Sequence, residues 1–332
     1  MGNDQQESVV VSVIIPVFNV LQFLPRLVAD CEKQQVSGTE FIFIDDGSTD
    51  GSSNFLDGLQ TRSNYIIIHQ NNAGVAVARN VGLKAAHGDY VCFIDPDDSI
   101  SDDYIATLVN AAKTNATDVV LSDWATIQGS SISYHHISKT SVPAEISQDE
   151  VFRTALESER ILCSLWAKLF SKHLFNDNSF PIQRTCSDFV PCFTALSKAE
   201  SICYAPGAYY YYTSDRNSSL QNTQTTNDIQ DSVMVHQQLA RFIHDQIPTL
   251  NESAILDLAY ARVQACVHIC KSTKVSNKHR EFRRYAKHLY QHLIPVMRTQ
   301  GSLSGKCLYV ITTLGYFTTQ ASLTIRMLLH RI

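Results

Sequence analysis

Several familiar signatures are missing from this 332-residue chain, and each absence removes a class of protein. There is no Cys-X-X-Cys pair among the nine cysteines (31, 92, 163, 186, 192, 203, 266, 270 and 307), so neither a zinc site nor a disulfide framework is indicated. Reduced thiols in a cytoplasmic protein are the expectation. The first eight residues are polar, carry Asp4 and Glu7, and lack the basic start and apolar stretch of a secretory signal. The uncharged stretch Cys307–Ile325 contains five threonines, Ser322 and Gln320, which makes it a poor transmembrane span. No G-x-G-x-x-G follows the first apolar run and no GxxxxGK[ST] occurs, which excludes dinucleotide-binding dehydrogenases and P-loop enzymes. A sugar nucleotidyltransferase would need a Gly-rich basic loop where VFNVLQF stands. A phosphoacceptor receiver would need an acidic pair after its first strand.

Acidic residues are scarce in one region only. Residues 262–332 hold 12 Lys+Arg against the single acid Glu281, a local charge of +11, whereas residues 1–261 hold 15 Lys+Arg against 31 Asp+Glu, or −16. A tail of that sign meets something anionic, with a membrane surface, nucleic acid and the protein's own acidic body as candidates. Within it, Lys278–His292 is basic and amphipathic, with Phe282, Tyr285 and Leu289 on one side. Hydrophobic residues make up 44% of the chain, enough for a sizeable core in one large domain or two.

The first half alternates strands and helices. Val9–Pro16, Glu40–Asp45, Tyr65–His69, Tyr90–Ile94 and Asp118–Ser122 are short β-branched or aromatic runs that predict buried strands. Between them Val20–Gln34, a segment capped by Ser48, Thr49 or Asp50, Ala73–Ala86 closed by Gly88, and a segment capped by Ser101 carry helical apolar spacing. This pattern predicts an α/β fold with a mostly parallel sheet flanked by helices. Long helices are expected over 228–246, 252–271 and 278–298.

Ligands of such sheets gather outside the carboxyl ends of the strands, where this chain concentrates acids. Asp95-Pro96-Asp97-Asp98 follows the fourth strand, and three carboxylates within four residues repel one another. A divalent cation relieves the repulsion, and oxygen-only donors suit Mg²⁺ or Mn²⁺, which also bind diphosphate oxygens. The plainer alternative is capping of the next helix, for which Ser101 is already available. Asp45 and Asp46 end the second strand, where a carboxylate either closes an Asx-Gly turn or accepts the N–H of a nucleobase.

VSVIIPVFN ending at Asn19, IDDGSTDGS at 44–52, the run from Asn71 to Ser99 and SDF at 187–189 together resemble family 2 of the inverting glycosyltransferases. The resemblance covers about residues 9–220 and implies the GT-A fold. It implies a UDP-sugar or similar nucleotide-sugar donor and a glycan or lipid-linked acceptor in polysaccharide biosynthesis, with no nucleic-acid partner. By position, Pro16, Phe18 and Asn19 would contact the nucleotide and Asp46 the base. Gly74 and Arg79 would line the ribose and diphosphate. Asp95 and Asp97 match the family's DxD, with Asp97 the direct ligand of Mn²⁺ or Mg²⁺ and Asp98 adjoining it. Asp188 matches the catalytic base, in the first turn of a helix starting near Ser187. Trp166 and Lys168, in SLWAKLF, match a segment on the acceptor side, where Trp166 either stacks on a sugar or sits in the core. The chain departs from the family at Pro96, Ser187 and Thr213, with Arg216 a substitute for the basic residue usual after the tyrosines at 209–212.

The resulting expectation is a GT-A glycosyltransferase domain over 1–222 and a basic helical region over 223–332. It would act in the cytoplasm, peripherally at the inner face of the membrane if the tail binds lipid rather than the acidic body. A catalytically inactive binding or scaffold subunit with the same fold is the alternative.

Overall fold

The computed structural model describes residues 10–157, 164–181, 186–214 and 226–271, together with Tyr285. The expected third long helix, the stretches Lys278–His292 and Cys307–Ile325, and Arg216 therefore lie outside the described residues, Tyr285 alone excepted.

Four parallel strands, β1 (Val11–Val17), β2 (Thr39–Asp45), β3 (Tyr65–His69) and β4 (Tyr90–Phe93), lie in the order β3-β2-β1-β4. Every residue of β1 and β2 is buried, which is why these strands read as unbroken apolar runs rather than alternating ones. The crossovers are α1 (Leu24–Lys33), α2 (Ser52–Asp57) and α3 (Val75–Ala85). Gly82 lets α3 lie close on the sheet, because a Cβ there would stand 2.5 Å from Ile14 Cγ2.

Beyond β4 come β5 (Ser99–Ile100), α4 (Tyr104–Asn115), β6 (Val119–Gln128), β7 (Ser131–His135), β8 (Ala144–Glu145) and α5 (Gln148–Glu157). They are followed by β9 (Lys168–Ser171), α6 (Phe189–Lys198) and β10 (Ile202–Thr213). The sheet continues β4-β9-β6-β10-β5, with β9 antiparallel to both neighbours and β10 parallel to β6. The mostly parallel α/β architecture is as expected, although β7 to β10 had no counterpart in the sequence reading.

Three local expectations need correction. Ser101 does not cap α4: its hydroxyl donates to Asp103 and accepts the Tyr209 N–H, each at 3.1 Å, so it joins β5 to β10. Gly88 does not close α3, which ends in an extended Ala86. The glycine is needed instead because a Cβ there would lie 2.7 Å from the Ser12 nitrogen. The helix before Cys192 begins at Phe189, with Asp188 as its N-cap rather than in its first turn.

The chain divides into two compact units, 1–151 with 162–219 and 152–161 with 220–332. In the second, α7 (Thr226–Gln246) and α8 (Asn251–Lys271) form a hairpin matching two of the long helices expected. A buried pair between His236 Nδ1 and Asp257, 2.6 Å apart, ties them together. No helix among the described residues is long and apolar enough to cross a membrane.

Candidate active site

The carboxyl ends of β1 and β2 are tied together by short polar bonds. The Asp46 N–H donates to Val17 O at 2.8 Å, and the Asn19 N–H to the Ser48 hydroxyl at 3.0 Å. Asn19, in the left-handed region at φ 52°, accepts the Thr49 N–H at 2.7 Å. Asparagine tolerates that backbone better than most residues. Pro16 is buried inside β1, whereas Phe18 is 46% exposed just beyond it, leaving its ring open to a ligand.

Asp45 is the turn-former of the acidic pair. Its oxygens take the Ser48 N–H at 3.0 Å, the Ser53 hydroxyl at 2.6 Å and His69 Nδ1 at 2.8 Å. Burial alone would raise its carboxyl, but these bonds outweigh burial and hold it below the usual range. Asp46 is 3% exposed and grips the loop that leads into α3. Its Oδ1 accepts from Gln70 Nε2 at 2.7 Å and the Ala73 N–H at 2.8 Å, and its Oδ2 from the Gly74 N–H at 2.8 Å. Asp46 and Gly74 are thus brought into direct contact. Gly74, at φ 93°, has open space where a Cβ would be.

The acids after β4 separate into different roles. Asp95 has a side chain 33% exposed; its Oδ1 takes Arg79 Nη2 at 3.0 Å, while its other oxygen carries no hydrogen bond among the described residues. Asp97 is 4% exposed, and its carbonyl accepts Arg26 Nη2 at 2.6 Å and the Thr213 hydroxyl at 3.2 Å. Asp98 is 1% exposed, and both its oxygens are engaged: Oδ1 by the Thr213 N–H at 2.9 Å, Oδ2 by the Tyr210 hydroxyl at 2.8 Å. Burial and then the Asp95 charge push the Asp98 carboxyl up to about 8.

Arg79 links this loop to the far side of the site. It is 6% exposed and reaches from Asp95 to the Ser187 hydroxyl, 3.3 Å away, while its buried Nε has no hydrogen-bond partner among the described residues. Asn80 beside it exchanges two hydrogen bonds with the main chain of Phe180, at 2.8 and 2.9 Å. These bonds bring the segment before α6 against α3, and with it Asp188. The Asp188 side chain is half-buried and makes no capping bond to α6. Burial raises its carboxyl and Asp95 raises it further, while Arg79 and Lys168 oppose them.

Lys168 reaches the site from β9. Its Nζ is buried and donates to Ser164 O at 2.7 Å and Trp166 O at 3.3 Å. Trp166 is 7% exposed and lies parallel to Tyr210 and Tyr212, with centroids 4.9 and 5.3 Å away. The core-aromatic reading of Trp166 accounts for that packing, since little of the indole face is open to a sugar. Arg26 had no place in the sequence reading, and Ser187 and Tyr210 entered it only as a departure from the family and as part of the tyrosine run, because each bonds a residue remote from it in the chain.

The residues were tested for a divalent cation by their chemistry. Among the described residues no three His, Cys, Asp or Glu side chains converge as a protein-only cage. Mg²⁺ and Mn²⁺ do not need one, since one or two carboxylates complete their shell with water and substrate phosphates. Asp95, partly exposed and with one oxygen carrying no hydrogen bond among the described residues, fits that requirement together with the neighbouring carboxylate of Asp97, whereas both oxygens of Asp98 are hydrogen-bonded.

Comparison with known proteins adds to this geometry. Residues 12–198, more than half of the chain, match the model for "Glycosyl transferase family 2". The chain is similar to glycosyltransferase GlyA of Streptococcus pneumoniae serotype 4, 29% identical over 209 residues, 61% of this chain and 30% of that protein. It is also similar to GlyG of the same organism, 27% identical over 225 residues, 65% of this chain and 74% of that one. This chain therefore spans less than a third of GlyA's length. Among solved structures, Staphylococcus aureus TarS 1-349 in complex with UDP-GlcNAc has a TM-score of 0.65 at 22% identity, covering 85% of this chain and 81% of that one. The shared architecture is the GT-A fold.

Proposed function

Because the chain belongs to glycosyl transferase family 2, we propose that it is a metal-dependent inverting enzyme that moves a sugar from a UDP-sugar to a hydroxyl of a glycan or glycolipid acceptor. The observation that carries this reading is that Arg79 bonds both Asp95, after the carboxyl end of β4, and Ser187, which precedes Asp188. Glycosyl transfer needs charge neutralised on a departing diphosphate and a base beside the attacking hydroxyl. The UDP-GlcNAc complex of TarS supports a UDP-sugar donor, and poly(ribitol-phosphate) glycosyltransferases among the relatives support a cell-surface polymer or glycolipid as acceptor.

In this reading the exposed Phe18, with Pro16 and Asn19, receives the nucleotide. Asp46 and Gly74 shape the loop around the base and ribose, and Arg79 orients the diphosphate side. Asp97 and Asp95 hold Mn²⁺ or Mg²⁺, which when bound neutralises charge on the leaving UDP. Asp188 accepts the proton of the acceptor hydroxyl as its oxygen attacks the anomeric carbon. The upward shift of that carboxyl makes it a stronger base than an ordinary aspartate. Lys168 fixes the segment on the acceptor side. Residues 1–222 carry the transfer, with 223–332 as a helical region. The basic Lys278–His292 supports attachment to an anionic membrane surface where a lipid-linked acceptor lies, a point that flotation with anionic liposomes tests.

A panel of nucleotide sugars, with Mn²⁺, Mg²⁺ or chelator, tests the whole reading. Metal-dependent release of UDP from one donor is expected. Absence of turnover with every donor would favour the scaffold alternative.

A further inference from the structure

Asp98 is buried, yet it belongs to the acidic loop after β4 and sits beside the carboxylates assigned to the cation. Its bonds run away from that site. Thr213 N–H and Tyr210 Oη–H occupy its two oxygens, at 2.9 and 2.8 Å, and both partners lie at the end of β10. The same tyrosine oxygen accepts the Asp95 N–H at 3.1 Å. The Thr213 hydroxyl donates to Asp97 O at 3.2 Å. From the opposite side Arg26 of α1 donates through Nη2 to Asp97 O at 2.6 Å and to Asp98 O at 3.0 Å. The loop is therefore held at Asp95 through its amide, at Asp97 through its carbonyl, and at Asp98 through both its carboxyl and its carbonyl. Tyr210 itself is wholly buried and braced by Trp166 and Tyr104.

We propose that Asp98, Tyr210 and Thr213 form an anchor that sets the position of the Asp95 and Asp97 carboxylates, so that Asp98 is a positioning residue and not a ligand of the cation. The inference rests on the function proposed above. It explains why a residue next to the ligands is sealed from solvent. Pro96 has no N–H to donate, and its ring fixes one dihedral of the turn, so orientation of the loop falls to the four bonds with Tyr210 and Thr213 and to Arg26. Groups that must be held to within a fraction of an ångström need such a supporting layer.

The two roles demand different chemistry at position 98. A ligand needs negative charge, which asparagine and alanine both lack. An anchor needs hydrogen bonds. Asparagine keeps an oxygen for the Thr213 N–H and can donate to the Tyr210 oxygen, whereas alanine leaves both partners unsatisfied. Binding of UDP should therefore be titrated calorimetrically, with and without Mn²⁺, for wild type, Asp97→Asn, Asp98→Asn, Asp98→Ala and Tyr210→Phe. The anchor predicts that Mn²⁺-dependent affinity falls about threefold in Asp98→Asn and at least tenfold in both Asp98→Ala and Tyr210→Phe. The Asp98→Ala/Tyr210→Phe double variant should be no worse than the weaker single one, because both break one unit.

Thermal unfolding of each variant without ligand separates anchoring from plain loss of stability. If melting falls but UDP affinity of the folded protein holds, the anchor is wrong. It is equally wrong if Asp98→Asn is as damaging as Asp97→Asn, which is the behaviour of a ligand. The wild-type titration reports separately on the underlying function, which fails if UDP does not bind under either condition.

Discussion

At the β1–β2 end of the sheet the acidic side chains bond residues close to them in the chain. Asp45 reaches Ser48, Ser53 and His69, and Asp46 reaches Gln70, Ala73 and Gly74, all within 28 positions. At the β4–β10 end the partners are remote: Arg79 and Ser187 are 108 residues apart, Asp98 and Tyr210 are 112 apart, and Asp98 and Thr213 are 115 apart. The first region, the proposed nucleotide cradle, is folded from one contiguous stretch. The second exists only once β9, α6 and β10 have been laid against β4. A defect in the cradle should therefore act on donor binding with or without the cation, and a defect in the remote assembly on cation-dependent binding and on the reacting groups.

The largest effect is expected where the two regions meet. If Asp97 holds the cation as proposed, Asp97→Asn removes a negative ligand, so transfer should fall to background and Mn²⁺ should no longer tighten UDP binding. Activity of the wild type that survives a chelator would contradict the assignment. Arg79→Gln comes next. Its guanidinium is the foremost influence opposing the upward shift of Asp188, so without it that carboxyl titrates at still higher pH. The base works ionised, and the acidic limb of the kcat/KM profile should move to higher pH, with transfer at neutral pH down roughly tenfold. A profile that stays in place or moves to lower pH would break the link between the two regions.

Within the cradle, Asp46→Ala frees the Gln70, Ala73 and Gly74 donors and loosens the loop into α3. The donor KM should rise by about tenfold with kcat little changed, a split that steady-state kinetics measures directly. Gly82→Ala, which crowds Ile14 and Ile44 beneath the cradle, should cost about 1–3 kcal/mol of stability in a denaturant titration while the folded fraction keeps its turnover.

The contrast also explains which parts of the molecule were legible in the sequence. β1 and β2 are buried throughout and, with the shorter β3 and β4, appear as apolar runs, and acids stand at the carboxyl ends of β2 and β4, so these strands could be located to within a residue or two. β9 has only four residues and enters through Ala167 in the left-handed region at φ 57°, a conformation that no local pattern announces. Ser101 looked like a helix cap because serine commonly is one, but β10, about a hundred residues later, claims its hydroxyl. Asp98 was expected beside the cation because it adjoins Asp97, and nothing local in the sequence announces that Tyr210 and Thr213, more than a hundred residues later, engage both its oxygens. Asp188 was placed near the start of α6 from the spacing of Phe189 and Phe193. That spacing could not tell whether its carboxylate caps the helix.

That last question bears most directly on the proposed transfer. The decisive measurement compares Asp188→Asn with wild type for melting temperature, Mn²⁺-dependent UDP binding and sugar transfer on the same preparations. A base that faces the acceptor predicts a folded variant that binds UDP as wild type does and transfers sugar roughly 10²–10⁴-fold more slowly. Near-normal turnover, or loss of UDP binding in step with loss of transfer, would contradict it.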